Sequence, residues 1–162
     1  MSKNNEQAII GVDLSLSSTG ISVRNIDRYD FYNIKTSKKT NIYERYIEIS
    51  NKIIEIVKMY ISLEPIIYIE DYAFSRKSKS VHKLAELGGV VKTAIYSKLN
   101  VDFIPVPITS WKKRILGNGR LKKSEIKKRA ELKFNIIFNN QDICDAFCVM
   151  KYGEAEQKLK GY

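Results

Sequence analysis

The sequence is poor in the residues from which small metal centres are usually assembled. Cysteine occurs twice and histidine once in 162 residues. Cys144 and Cys148 lie four apart with no second Cys or His pair beside them, so a zinc site is not expected. Both read as reduced, packed thiols of a cytosolic protein. His82 falls within an amphipathic helical pattern, where packing or exposure is a simpler role than general-base catalysis. No apolar run approaches the roughly 20 residues that span a membrane, and the opening MSKNNEQ is polar and lacks a signal-peptide core. A cytoplasmic protein without a membrane segment is expected.

Acids are the minority charge, with 18 Asp and Glu against 28 Lys and Arg, a net charge of +10. For a small domain that excess points to a polyanionic partner, most simply nucleic acid. Acidic membrane surfaces are disfavoured, because no basic helix with a strong apolar face lies near a terminus. Apolar content is ordinary, and the length suits one compact domain over residues 1–162, without repeats or linkers.

The segment Ala8 to Leu14 reads as a strand, apolar on both faces until Asp13, as a central strand covered on both sides should be. TGISVRNI and YDFYNIKT follow as two short strands of an antiparallel meander. From Asn41 to Leu63 the period becomes helical, with Ile42, Tyr46, Ile49, Ile53, Ile56 and Tyr60 in phase. Pro65 stops that helix and opens a fourth strand, PIIYIE. A second amphipathic helix from Ser80 to Leu99 and a fifth strand, VDFIPVP, come next. WKKRILGNGRLKKS reads as a basic loop leading into a helix from Ser124, which is placed to cap it, to about Phe134. A last helix begins near Asp142.

Few as they are, the acids fall in telling places. A long helical crossover allows strand four to lie parallel to strand one. Asp13 and the pair Glu70–Asp71 then meet at the carboxyl ends of neighbouring strands, where open sheets place their sites. Alternation allows only one of Glu70 and Asp71 to share a face with Asp13. Asp142 and Asp145, three apart, project from one side of the last helix. Each acid has a plain reading as a strand-end or helix-start charge, and Asp142 as an N-cap. Together they form a cluster that would repel itself unless divalent cations neutralise it. Mg²⁺ prefers such oxygen ligands, and two such ions about 4 Å apart can support phosphodiester cleavage.

In this order the motifs resemble the RuvC family of Holliday-junction resolvases, within the RNase H-like superfamily. IIGVDLSLSSTG is similar to the first motif of that family, IYIEDYAF to the second and DICDAF to its closing D-x-x-D-A motif. KLAELGGVVKTAI resembles the intervening helix, and ITSWKKRILGNGRLKKSEI the basic segment. The resemblance implies an α/β, RNase H-like fold: a five-stranded mixed sheet flanked by helices on both faces. It implies a homodimer making paired, symmetric, metal-dependent nicks in four-way DNA. Asp13, Glu70 rather than Asp71, Asp142 and Asp145 would hold two Mg²⁺ ions, with Mn²⁺ able to substitute. Lys112 and Lys123 match the active-site lysines, where a cation stabilises charge developing on the scissile phosphate.

The chain departs from the family pattern at two places. Leu14-Ser15 stands where bacterial members usually carry Pro-Gly, a change that suits a divergent phage-type member acting in host cytoplasm. Ala73 stands where a junction-wedging aromatic is common, flanked by Tyr72 and Phe74. Those two aromatics read equally as DNA, core or dimer residues. Arg76, Lys77 and Lys79 form a basic loop, and Lys113, Arg114, Arg120 and Lys122 a second group, all placed to contact DNA or to line a solvated face. GNGRLKKS lacks a P-loop's spacing, and GNG reads as a turn. Trp111 reads as a core anchor, and Gly88-Gly89 as a point of close approach by another helix, such as that of a second subunit. Competing readings are a broader nuclease for flaps, forks or RNA–DNA hybrids, a non-catalytic DNA-binding module, and a sugar-kinase or actin-type phosphate loop.

Overall fold

The structure is a computed structural model and describes residues 7–71 and 79–161. Five strands form one mixed sheet in the order β3-β2-β1-β4-β5. β1 (Ile9–Asp13) is central: it pairs antiparallel with β2 (Ser18–Asn25) and parallel with β4 (Ile66–Glu70). β3 (Arg28–Lys35) continues the meander beyond β2, and β5 (Phe103–Val106) lies parallel to β4 at the other edge. β1 runs almost wholly buried because both of its faces meet helices.

On one face, Ile10 and Val12 enter a core with Tyr46, Ile49 and Ile53 of α1 (Ile42–Met59) and Leu87, Val91 and Ile95 of α2 (Lys79–Leu99). On the other face, Ile9 and Tyr68 pack with α3 (Ile108–Leu116), α4 (Lys123–Phe134) and α5 (Gln141–Leu159). From Ile143 to Met150 every residue of α5 is buried, as expected of a helix enclosed by a sheet and two other helices. The expected five-stranded mixed sheet with helices on both faces is the fold observed. The thiols of Cys144 and Cys148 are free and buried in α5, and His82 is exposed on α2.

Four local readings change. The basic segment after Val106 begins as helix α3, not loop, because Trp111 and Ile115 share a buried face; Gly117 ends it with φ 81°. Ser124 does not cap α4, which starts one residue earlier; the Glu125 carboxylate accepts the Lys122 N–H instead, at 3.1 Å. Asp142 does not cap α5: Asn140 does, its Oδ1 accepting the Ile143 N–H at 2.8 Å. The first helix ends at Met59, and residues Ile61–Leu63 form a 3₁₀ turn.

α5 lies unusually close to the sheet because β1 and β2 present glycine to it. A Cβ on Gly11 would stand 2.2 Å from the Ala146 carbonyl oxygen and 2.5 Å from the Met150 nitrogen. Both are backbone atoms and cannot rotate aside. Gly11→Ala is therefore expected to lower stability by about 3 kcal/mol, the upper part of the usual overpacking range. Its urea midpoint would fall while the slope of the transition stays constant; an unchanged midpoint would show that α5 can shift outward freely.

Candidate active site

The four acids of the sequence motifs converge at one corner of the sheet. Val12 stands opposite Ile69, so the next step along each strand brings Asp13 and Glu70 side by side at the carboxyl ends of β1 and β4. They share the face of Gly11 and Tyr68, and both of these touch α5: Gly11 at Ala146 and Met150, Tyr68 at Gly153. The first turns of α5 bring Asp142 and Asp145 to the same corner, and Asp145 is only 7% exposed. Asp71 has the opposite alternation and is exposed.

Burial and mutual repulsion hold these carboxyls in an unusual state. Burial pushes Asp13 well above the ordinary carboxylate range, and the charges of Glu70, Asp145 and Asp142 push it further. Glu70 rises to about 7, first through burial and then through Asp145. Asp145 rises to about 6 through burial, although the hydrogen bond from Gln141 opposes the shift. Lys123 lowers all three, and Lys112 lowers Glu70 and Asp145, so both predicted lysines act on the carboxylate corner.

Three of the acids each have one oxygen steadied by a protein donor. The Trp111 indole N–H donates to Glu70 Oε2 at 2.9 Å, and Gln141 Nε2 donates to Asp145 Oδ1 at 2.6 Å. Ser18 Oγ donates to Asp142 Oδ2 at 2.6 Å. Among the described residues no three acid, histidine or cysteine side chains are gathered into a finished metal cage. The donor set nonetheless fits hard cations: all its ligand atoms are carboxylate oxygens, and the charges of Glu70, Asp145 and Asp142 raise the proton affinity of Asp13. A divalent ion would relieve that repulsion and take the second oxygens.

Around this corner, Lys112 donates from Nζ to the Leu121 carbonyl oxygen at 3.3 Å and lies 5.7 Å from the Trp111 ring centre. Lys113 and Arg120 line a hollow of about 420 Å³ with Thr109, Ser110 and the Gly117–Gly119 turn. Lys122 and Lys123 are exposed at the start of α4. Arg114 is turned to α5 instead, paired with Glu156 and set 5.4 Å from the Tyr152 ring centre. Tyr72, Phe74, Arg76 and Lys77 lie outside the described residues, as does the side chain of Lys79. Sequence reasoning missed Ser18, Trp111 as a donor, and Gln141. Gln141 was legible as the residue four before Asp145 on one helix; the other two contacts span 124 and 41 residues.

The five-stranded mixed sheet with helices on both faces is an RNase H-like fold. The family described as "Lactococcus phage M3 protein" matches residues 6–155, and the chain belongs to it. Among curated proteins it is similar to the crossover junction endodeoxyribonuclease RuvC of Caldicellulosiruptor saccharolyticus, at 26% identity over 87% of this chain and 88% of the relative. It also resembles RuvC of Ehrlichia ruminantium, at 28% identity over 87% and 92%. Thermus thermophilus RuvC superposes with a TM-score of 0.71 at 18% identity, covering 94% of this chain and 97% of that one. RuvC of the same organism in complex with Holliday junction substrate gives 0.70 at 17% identity, covering 89% and 90%.

Proposed function

We propose that this protein is a metal-dependent endonuclease that resolves four-way DNA junctions by paired, symmetric nicks. The observation that carries the reading is the meeting of Asp13, Glu70, Asp142 and Asp145 at one corner, within the electrostatic reach of Lys112 and Lys123. It is supported by similarity along most of the chain to two proteins named crossover junction endodeoxyribonuclease. The four carboxylates would hold two Mg²⁺ ions, with Mn²⁺ as a substitute. When bound, such ions supply activation of the attacking water and neutralisation of the leaving oxygen.

The protein's own groups do the rest. Trp111, Gln141 and Ser18 each restrain one carboxylate oxygen, which limits the rearrangement left for the reaction. Lys112 and Lys123 offset negative charge on the phosphate as the bond breaks. Lys113, Arg120 and Lys122 hold the DNA backbone by charge, without reading sequence.

A two-fold homodimer would set two such corners against the two strands of a symmetric junction. The Gly88-Gly89 helix supports it: a Cβ on Gly89 meets nothing within 4 Å among the described residues, and Val90 and Tyr96 are exposed on the same helix. Gly89 therefore meets no partner helix among the described residues.

The test is cleavage of a labelled four-way junction beside linear duplex, flap and fork DNA, with Mg²⁺ and with chelator. Paired nicks confined to the junction are expected, and none with chelator. Equal cutting of flaps and forks would replace this reading with a general branch nuclease. Binding without cutting under either metal would replace it with a DNA-binding module.

A further inference from the structure

We propose that Ser18 and Asn33 form a positioning relay that aims the Asp142 carboxylate at its metal, a role that rests on the function proposed above. Ser18, Gly20 and Ser22 alternate onto one face of β2, and all three meet the first turn of α5. A Cβ on Gly20 would stand 2.1 Å from the Asp142 carbonyl oxygen, and Ser22 Oγ donates to the Ile143 carbonyl at 3.1 Å. These two contacts seat the helix backbone. The contact of Ser18 is different, because it reaches the carboxylate itself.

The direction of the relay is fixed by hydrogen-bond chemistry. Asn33 lies on β3 and turns its amide towards β2, where Nδ2 is 3.2 Å from the Thr19 carbonyl oxygen. A carbonyl only accepts, so the nitrogen must face it, which settles the orientation of the amide. The same Nδ2 is 3.0 Å from Ser18 Oγ and must donate there too. The hydroxyl of Ser18 accepts that bond, and its own proton goes to Asp142 Oδ2 at 2.6 Å. Asp142 Oδ1 accepts no hydrogen bond from the described residues and is left to a cation.

The arrangement carries a cost that packing alone does not require. Asn33 Oδ1 is buried without a hydrogen-bond partner among the described residues. Turning the amide over would give it the Ser18 hydroxyl, but would place two oxygens against each other at Thr19 and take the proton from Asp142. Orphaned buried acceptors are rare in folded proteins. Here the unpaired oxygen keeps the hydroxyl aimed at the carboxylate. Outer partners of this kind fix the orientation of a metal ligand, and their loss typically weakens metal binding about 10- to 100-fold.

The experiment titrates Mn²⁺ into the DNA-free protein and reads free Mn²⁺ by paramagnetic resonance, alongside the Mg²⁺ dependence of junction cleavage. Ser18→Ala and Asn33→Ala are compared with Ser18→Thr, which keeps the hydroxyl, and with Ser22→Ala, which loses a bond to the helix backbone only. Circular dichroism checks that each variant is folded. Ser18→Ala is expected to bind Mn²⁺ about 10- to 100-fold more weakly, and to need correspondingly more Mg²⁺ for half-maximal cutting. Cutting at saturating Mg²⁺ is largely restored, Asn33→Ala moves the same way by a smaller factor, and Ser18→Thr stays near wild type. Mn²⁺ affinity unchanged in Ser18→Ala, or lowered equally in Ser22→Ala, overturns the relay. If wild type binds Mn²⁺ but cuts no junction, the nuclease reading fails, and the Mn²⁺ titrations still decide the relay.

Discussion

Asp145→Asn is expected to lower the rate of junction cleavage in Mg²⁺ by on the order of 10³-fold, the scale of losing a charge-stabilising group in a transition state. Junction binding should stay within a few-fold of wild type. The substitution keeps the volume of a side chain that is 7% exposed, and the amide oxygen can still accept the bond from Gln141. What it removes is the charge. The carboxylate has neighbours, Glu70 and Asp13, whose protonation it already raises, so its loss also relaxes the metal-free site. The variant should therefore melt no lower than wild type in chelator at about pH 8, where those charges repel most. Labelled-junction cleavage and a melting curve on one preparation check both halves. Substantial residual cleavage would remove Asp145 from the metal-binding set.

The second large effect is on pH dependence. Glu70 and Asp145 titrate in the fold at about 7 and about 6, above their ordinary values of 4.5 and 3.8, and Asp13 is raised as well. The native state thus binds more protons than the unfolded chain between those values. The stability these groups lend is complete below their unfolded range and is lost as pH rises through about 6 to 7. Divalent ions replace the missing protons as counter-charge. In chelator, these three groups should make the protein more stable near about pH 5.5 than near about pH 8, and the gain in melting temperature on adding Mg²⁺ should grow between the two. Cleavage at limiting Mg²⁺ should rise over the same interval, by up to about tenfold per pH unit for each proton displaced. Melting with and without Mg²⁺ at the two pH values is the direct check. A Mg²⁺-induced shift that is the same at both would mean that no proton is displaced and the carboxyls are not the ligands.

The readable part of the site lies in short-range pattern. Asp13 stands out because it ends a strand apolar on both faces, and Asp142 and Asp145 because three residues make nearly one helical turn. Burial then makes those same acids unusual chemically, which no local pattern states. The helix α3 was less visible, because only Trp111, Ile115 and Leu116 of its nine residues are buried and cations fill much of the rest. The caps of α4 and α5 each fall two residues from the expected one for a related reason: several neighbouring polar side chains could serve, and packing chose between them.

By itself the sequence determined the alternation of strands and helices, the acids at their ends and the basic excess around them. These follow from side-chain periodicity and composition, which act over a few residues. The tertiary structure alone decided the remainder. Bare glycines at positions 11 and 20 let α5 sit against the sheet, which brings Asp142 and Asp145 to the corner of Asp13 and Glu70. The contacts of Ser18 with Asp142 and of Trp111 with Glu70 join residues 124 and 41 positions apart. A hydrogen bond needs atoms within about 3 Å, and only packing in three dimensions sets a distance of that kind between residues so far apart in the chain.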